Sequence, residues 1–173
     1  AGIAGLTAAV ALAHQGNQCT VYEQARRFDG TGAGVQLSPN ATRLLRRLGL
    51  GEHLARVAVR PRAIEFRRWR SGDVIARMEL GDACEARYGA PYLTVHRADL
   101  HRGLVDLAAA AGVAAPRLRR RCVGVRERRR FVDVHWADGA GTASDLVVGA
   151  DGVDSAVRAG LTRRRAARST KAV

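Results

Sequence analysis

The chain has 173 residues, the length of one domain or of one domain and the start of another. Apolar residues make up 47% and charged residues 26%, which suffices for a packed core and excludes wholesale disorder. The formal charge is +13, from 29 basic and 16 acidic residues, and Lys171 is the single lysine. Residues 117–130 carry a net +7 and residues 163–171 a net +5, so two short stretches hold nearly all of the excess. Such runs fit either a nucleic-acid footprint or a solvated strand edge and a frayed tail. Apolar Leu118, Cys122, Val123 and Val125 interleave the first run, as in a half-buried strand, and no nucleic acid is expected as a partner.

No apolar run approaches the ~18–20 residues of a membrane span, and Ala1–Val10 lacks the basic start of a signal peptide. Cys19, Cys84 and Cys122 are odd in number and widely spaced, with no CxxC pair, so a reduced, cytoplasmic chain is expected.

In chain order, residues 3–15 read as a buried Ala/Leu helix ending near Gly16, and Gln18–Tyr22 as a short strand. Asp29–Gly34 reads as a glycine-rich loop. Pro39–Leu48 reads as a helix with Ser38 at its cap and Leu44, Leu45 and Leu48 on one face. A short helix is expected over Glu52–Val57. Ile64–Trp69 and Val74–Leu80 read as a hairpin turning at Ser71-Gly72-Asp73. Tyr92–Val95 reads as a strand and Ala98–Ala111 as a helix closed by Gly112. Arg121–Arg126 and Phe131–Trp136 read as a second hairpin, Ala143–Val148 as an apolar strand, and Asp154–Leu161 as the last helix.

Ala1-Gly2-Ile3-Ala4-Gly5 opens the first helix with a GxxG step. In a dinucleotide fingerprint, such glycines let backbone approach a pyrophosphate and let helix pack on strand, while the helix amides and dipole hold the anion. Taken alone, the step also fits ordinary small-residue packing. Glu23 strengthens the nucleotide reading. It ends the QCTVY run 18 residues after Gly5, where a βαβ unit places the acid that binds an adenosine ribose. A carboxylate there favours the unphosphorylated ribose of FAD or NAD.

The segment AGIAGLTAAVALAHQGNQCTVYEQ resembles the FAD-binding start of the group A flavoprotein aromatic monooxygenases, relatives of para-hydroxybenzoate and salicylate hydroxylases. Three further blocks follow in the family's order. Gly32-Ala33-Gly34-Val35-Gln36-Leu37-Ser38-Pro39-Asn40 resembles the loop and helix start beside the flavin ring. Val95-His96-Arg97-Ala98-Asp99-Leu100 resembles the HRxxL block. Gly149–Arg158, GADGVDSAVR, resembles the DG motif.

The resemblance spans about residues 1–161. It implies an α/β fold: an incomplete Rossmann-like FAD-binding domain with part of a β-rich substrate domain, to which the 61–95 hairpin would belong. Residues 162–173 would form a basic, disordered tail. The implied activity is NAD(P)H-dependent hydroxylation of a small aromatic substrate by O₂, through a flavin hydroperoxide. The protein positions and tunes the cofactor for that chemistry.

Carried onto this sequence, the resemblance makes Gly2, Ile3, Ala4 and Gly5 pyrophosphate contacts, and Glu23 with Gln24 the adenosine-ribose end. Arg97 would contact FAD near its phosphates and ribityl chain, since a guanidinium presents a planar fork of donors. Gly34 and Val35 would lie against the flavin, and Cys122 would offer backbone to the adenine. Asp151 and Gly152 would form a turn near the pyrophosphate. Asp151 could instead cap the next helix, and Arg158 could hold the loop.

Where some relatives carry a catalytic histidine after the GAG step, this chain has Gln36, so no catalytic acid or base is assigned. The five histidines are scattered and predict no metal site. The family pattern also has a strand and a glycine before the position of Ala1, and a second, Gly-Asp FAD block after Arg158. The chain therefore reads as a fragment, inactive on its own. Two alternatives remain: a vestigial nucleotide-binding domain, and a basic nucleic-acid-binding protein.

Overall fold

The structure is a computed structural model that describes residues 1–28 and 32–162. The expected basic tail beyond Thr162 and positions 29–31 of the glycine loop lie outside the described residues. The chain divides into two compact units, one formed by residues 1–28 and 108–173, the other by residues 29–107.

In the first unit, α1 (Ile3–Ala13) is apolar nearly all round and buries Leu6, Ala9 and Val10, one stripe at helical spacing. The QCTVY run does not form the expected strand. Tyr22 alone makes a parallel bridge, to Arg117, through Arg117 N–H to Val21 O and Glu23 N–H to Arg117 O. β5 (Cys122–Glu127), β6 (Val132–Trp136) and β7 (Gly141–Ser144) form an antiparallel sheet in that order. Val134 and Trp136 are its buried residues, and Trp136 stacks on Tyr22 with ring centroids 4.4 Å apart.

The basic run 117–130 is absorbed into this unit. Arg120 pairs with Asp138, Arg128 with Asp133, and the Arg117 guanidinium lies 5.7 Å from the Tyr22 ring centre. The predicted strand 143–148 is displaced. Its ladder covers residues 141–144, and among the described residues no strand pairs with 145–150, which leaves Leu146 and Val148 exposed. An apolar run shows that a segment can be a strand; it does not say which neighbour supplies the hydrogen bonds. α6 (Ala156–Thr162) closes the unit and packs Gly160 against β5, where an added Cβ would come within 2.9 Å of the Val125 side chain.

In the second unit, β1 (Gly34–Leu37) pairs antiparallel with β4 (Leu93–His96). α2 (Pro39–Arg47) follows, with Pro39 in its first turn as predicted. Ser38 occupies the cap position, but its hydroxyl donates to Asn40 Oδ1 instead of capping an amide. The buried stripe is Thr42 and Leu45, while Leu44, expected inside, is exposed. Thr42 is fully buried because its hydroxyl donates to Pro91 O at 2.7 Å.

α3 (Gly51–Val57), the hairpin β2 (Ala63–Arg67) and β3 (Val74–Glu79), and α5 (Arg97–Ala110) match the expected elements within a few residues. Gly112 follows α5 in the left-handed region, as its closing position requires. α4 (Gly81–Tyr88) was not predicted. It is short, mostly polar, and buries only Cys84. Leu37, Leu45, Leu50, Leu54, Leu93, Val95, Leu100 and Leu104 form the unit's core.

Candidate functional site

Within the first unit, α1 begins at Gly2, an extended residue with no side chain to cap the helix. The first-turn amides are therefore free of side-chain acceptors, and an added Cβ at Gly2 would meet nothing within 4 Å. Gly5 touches the turn after β7, its virtual Cβ lying 3.5 Å from that of Ala150. That is ordinary contact, so Gly5 is small for a close fit without being strictly required. The contact brings Gly2, Ile3, Ala4 and Gly5 to the segment that contains Asp151 and Gly152.

Glu23 is set beside this helix start. Its Oε2 accepts from the Ala1 amino group and its Oε1 from the Ala25 N–H at 2.9 Å. Burial pushes the carboxyl upward, while the Ala25 and Gln24 amides that donate to it pull it down. The backbone on both sides is fastened by Glu23 N–H to Arg117 O, Arg120 N–H to Glu23 O and Arg119 N–H to Ala25 O. Arg119 adopts φ +58°, alone among the described non-glycine residues, and so turns its amide toward Ala25. Gln24 is exposed.

Asp151 has a defined task. Its Oδ1 accepts from the Ser155 hydroxyl, and its Oδ2 from the Ala156 and Val157 amides. The carboxylate therefore caps α6, the alternative weighed from sequence. Burial raises this carboxyl too, yet the Ser155 and amide hydrogen bonds hold it below the ordinary aspartate value. Arg158 ties the same turn together by donating to Val153 O. Gly149 sits so close to α6 that a Cβ would approach Val157 within 2.7 Å. Cys122 opens β5, and burial, with the Asp151 charge nearby, pushes its thiol upward.

Within the second unit, Arg97 starts α5 and its N–H donates to Ala33 O at 3.2 Å. Gly32 passes so near that a Cβ would lie 2.8 Å from Arg97 Cβ, which explains a glycine there. The exposed guanidinium has no hydrogen-bond or ionic partner among the described residues. Gly34 pairs with His96, and Val35 with Val95. Sequence reasoning missed two side-chain pairings: the Tyr22–Trp136 stack beside Glu23, and Tyr92 O–H donating to Gln36 Oε1 at 2.6 Å. The first had no local signal. The second is a diagonal cross-strand pair, findable only once the register is known.

These residues fit an adenine dinucleotide. The uncapped helix start suits a pyrophosphate, and each Glu23 oxygen keeps a further lone pair for a ribose hydroxyl. Among the described residues no three His, Cys, Asp or Glu side chains cluster to hold a metal, and no helix is long and apolar enough to cross a membrane.

Comparison with known proteins points the same way. The chain is 52% identical over 163 residues to 3-amino-4-hydroxybenzoate 2-monooxygenase of Streptomyces cremeus, covering 94% of this chain and 41% of that enzyme. It is 39% identical over 158 residues to 6-hydroxynicotinate 3-monooxygenase of Pseudomonas fluorescens, covering 91% and 40%. The chain thus spans about two fifths of the length of these relatives. Klebsiella pneumoniae HpxO, solved with FAD and uric acid, superposes with a TM-score of 0.80 at 31% identity, covering 91% of this chain and 39% of that one. The sequence pattern described as FAD binding domain matches residues 1–172. The chain belongs to the FAD-binding domain family whose relatives here are aromatic monooxygenases.

Proposed function

We propose that this chain is the FAD-binding part of a flavoprotein monooxygenase that uses NAD(P)H and O₂ to hydroxylate a small aromatic substrate. The observation that carries the reading is the Glu23 carboxylate, fastened by backbone beside the uncapped start of α1. FAD, when bound, supplies the redox chemistry and the activation of oxygen.

The chain's own residues bind and orient. The amides of Ile3, Ala4 and Gly5 hold the pyrophosphate, with the backbone of Asp151 and Gly152 nearby. Glu23 accepts from the adenosine ribose, Gln24 lies beside it, and Cys122 offers backbone to the adenine. In the second unit, Arg97 supplies a guanidinium for the phosphates and ribityl chain. Gly34 and the backbone of Val35 form the surface on which the flavin rests. The 61–95 hairpin, charged on one side through Glu65, Arg67, Arg77 and Glu79, belongs to the substrate-binding layer. Localisation in the cytoplasm accords with the widely spaced free cysteines.

The test is to titrate FAD into the purified chain and follow flavin fluorescence and visible absorbance. Saturable binding that weakens in Glu23→Ala supports the reading. Flavin that stays free in solution at high chain concentration overturns it.

A further inference from the structure

We propose that the β2–β3 hairpin docks on an anionic lipid surface, with Trp69 seated among the headgroups and Arg68 and Arg70 against the lipid phosphates. The contact is peripheral and involves no span. In the hairpin register Ile64 stands opposite Met78 and Phe66 opposite Ala76, so these four share one face, and alternation along β3 adds Val74. Phe66 is 60%, Met78 55% and Val74 46% exposed, and every β3 residue is exposed. A bare apolar face of this kind marks a surface that works against another body.

The opposite face is charged but neutralises itself. Glu65 pairs with Arg67 and Arg77, and Arg77 also with Glu79. The turn is different. Residues 66–72 hold three arginines and no acid. Arg67 is committed to Glu65 and to Gly72 O, and Ser71 donates to the neighbouring Asp73 carboxylate. The Arg68 guanidinium has no partner among the described residues. That of Arg70 lies 4.7 Å from the centre of the Trp69 ring. Trp69 itself is 86% exposed at the tip.

An indole, with its apolar body and single N–H donor, sits best at the boundary between headgroups and acyl chains. Arginines beside it present planar donors to phosphates while their stems run along apolar surface. Uncompensated guanidinium charge adds attraction to anionic lipid. Tryptophan with arginine also suits a nucleic-acid strand, through base stacking and phosphate contact. Val74 and Met78 decide between the two. On a nucleic acid these side chains would stay in water, whereas at a bilayer interface they are buried together with Phe66.

The test mixes the purified chain with phosphatidylcholine vesicles, with and without phosphatidylglycerol, and follows co-sedimentation and tryptophan emission. Trp136 is 6% exposed, so a blue shift on lipid reports Trp69. Binding should require phosphatidylglycerol and weaken with added salt. Trp69→Ala should weaken co-sedimentation by about tenfold or more, the effect of losing a large buried apolar side chain. Arg68→Gln and Arg70→Gln should each weaken it by about fivefold. Arg129 and Arg130 are equally exposed, in the β5–β6 turn. Changing both to Gln should alter binding by less than about twofold, since they lie outside the docking surface.

Equal binding to both kinds of vesicle overturns the proposal. So does an equal loss in the Arg129 and Arg130 double variant, which would assign the attraction to bulk charge. Inorganic phosphate should leave the emission unchanged, and a matching blue shift with phosphate alone would give the turn to a free anion instead. A chain that ignores vesicles but forms a dimer lost in Phe66→Ser would give the apolar face to a second copy. Tighter binding to a single-stranded oligonucleotide than to phosphatidylglycerol, again dependent on Trp69, would give the tip to a nucleic acid.

Discussion

Two regions of the molecule, one in each unit, are built by opposite means. Around Glu23 and Asp151 the carboxylates are engaged by backbone amides and near neighbours: Ala25 for the first, Ala156 and Val157 for the second. On the β1–β4 ribbon the polar groups meet side chain to side chain, Tyr92 on Gln36, and the Arg97 guanidinium stays uncommitted. A site held by backbone tolerates surface substitution but is intolerant of change at the carboxylate itself. A site held by side chains can be retuned one residue at a time.

The comparison presupposes that each unit has its own core. The largest expected effect is therefore Leu104→Ala or Leu6→Ala, both at 0% exposure. Each should cost about 2–5 kcal/mol in denaturant unfolding, through lost burial and a residual cavity. A loss well below that range would show that the unit concerned is not tightly packed.

Next is Glu23→Ala, which should weaken FAD or ADP by about 1.5–3 kcal/mol, the range for a hydrogen bond to a charged group. Equal dissociation constants by calorimetry would remove Glu23 from the site.

Asp151→Ala should cost about 0.5–2 kcal/mol of stability through the lost cap, with a smaller effect on nucleotide affinity than Glu23→Ala. The pH dependence has a defined sign. The folded-state value of Asp151 lies below the ordinary 3.8, so its contribution is present above that pH and fades as pH falls through the lowered folded value. Urea midpoints against pH for wild type and Asp151→Ala should converge in acid. Persistent separation there would contradict the capping role.

The smallest effects sharpen the contrast. Arg117→Ala removes a guanidinium from the half-buried Tyr22 ring and should cost about 0.5–1 kcal/mol. Phe66→Ser, at a position 60% exposed on the bare β2–β3 hairpin, should stay within about 0.5 kcal/mol. A larger loss at Phe66 would mean that the hairpin face is covered in solution.

The sequence by itself determined the family and most of the elements. α1, α5 and the two hairpins were legible because helical spacing, turn residues and closing glycines are local signals. Gly2, Glu23 and Arg97 are candidates on the same kind of signal, short motifs at fixed offsets. Three matters were decided only by tertiary structure. Gln18–Tyr22 and Asp145–Ala150 are strand-like in composition but, among the described residues, form no ladder with a partner strand, since ladder bonds come from distant segments. Asp151 reads from sequence foremost as part of the cofactor motif and only second as a cap, and the positions of the Ser155, Ala156 and Val157 donors give its carboxylate to α6. The partnership of Gln36 with Tyr92 depends on a register 56 residues apart in the chain, which no local pattern encodes.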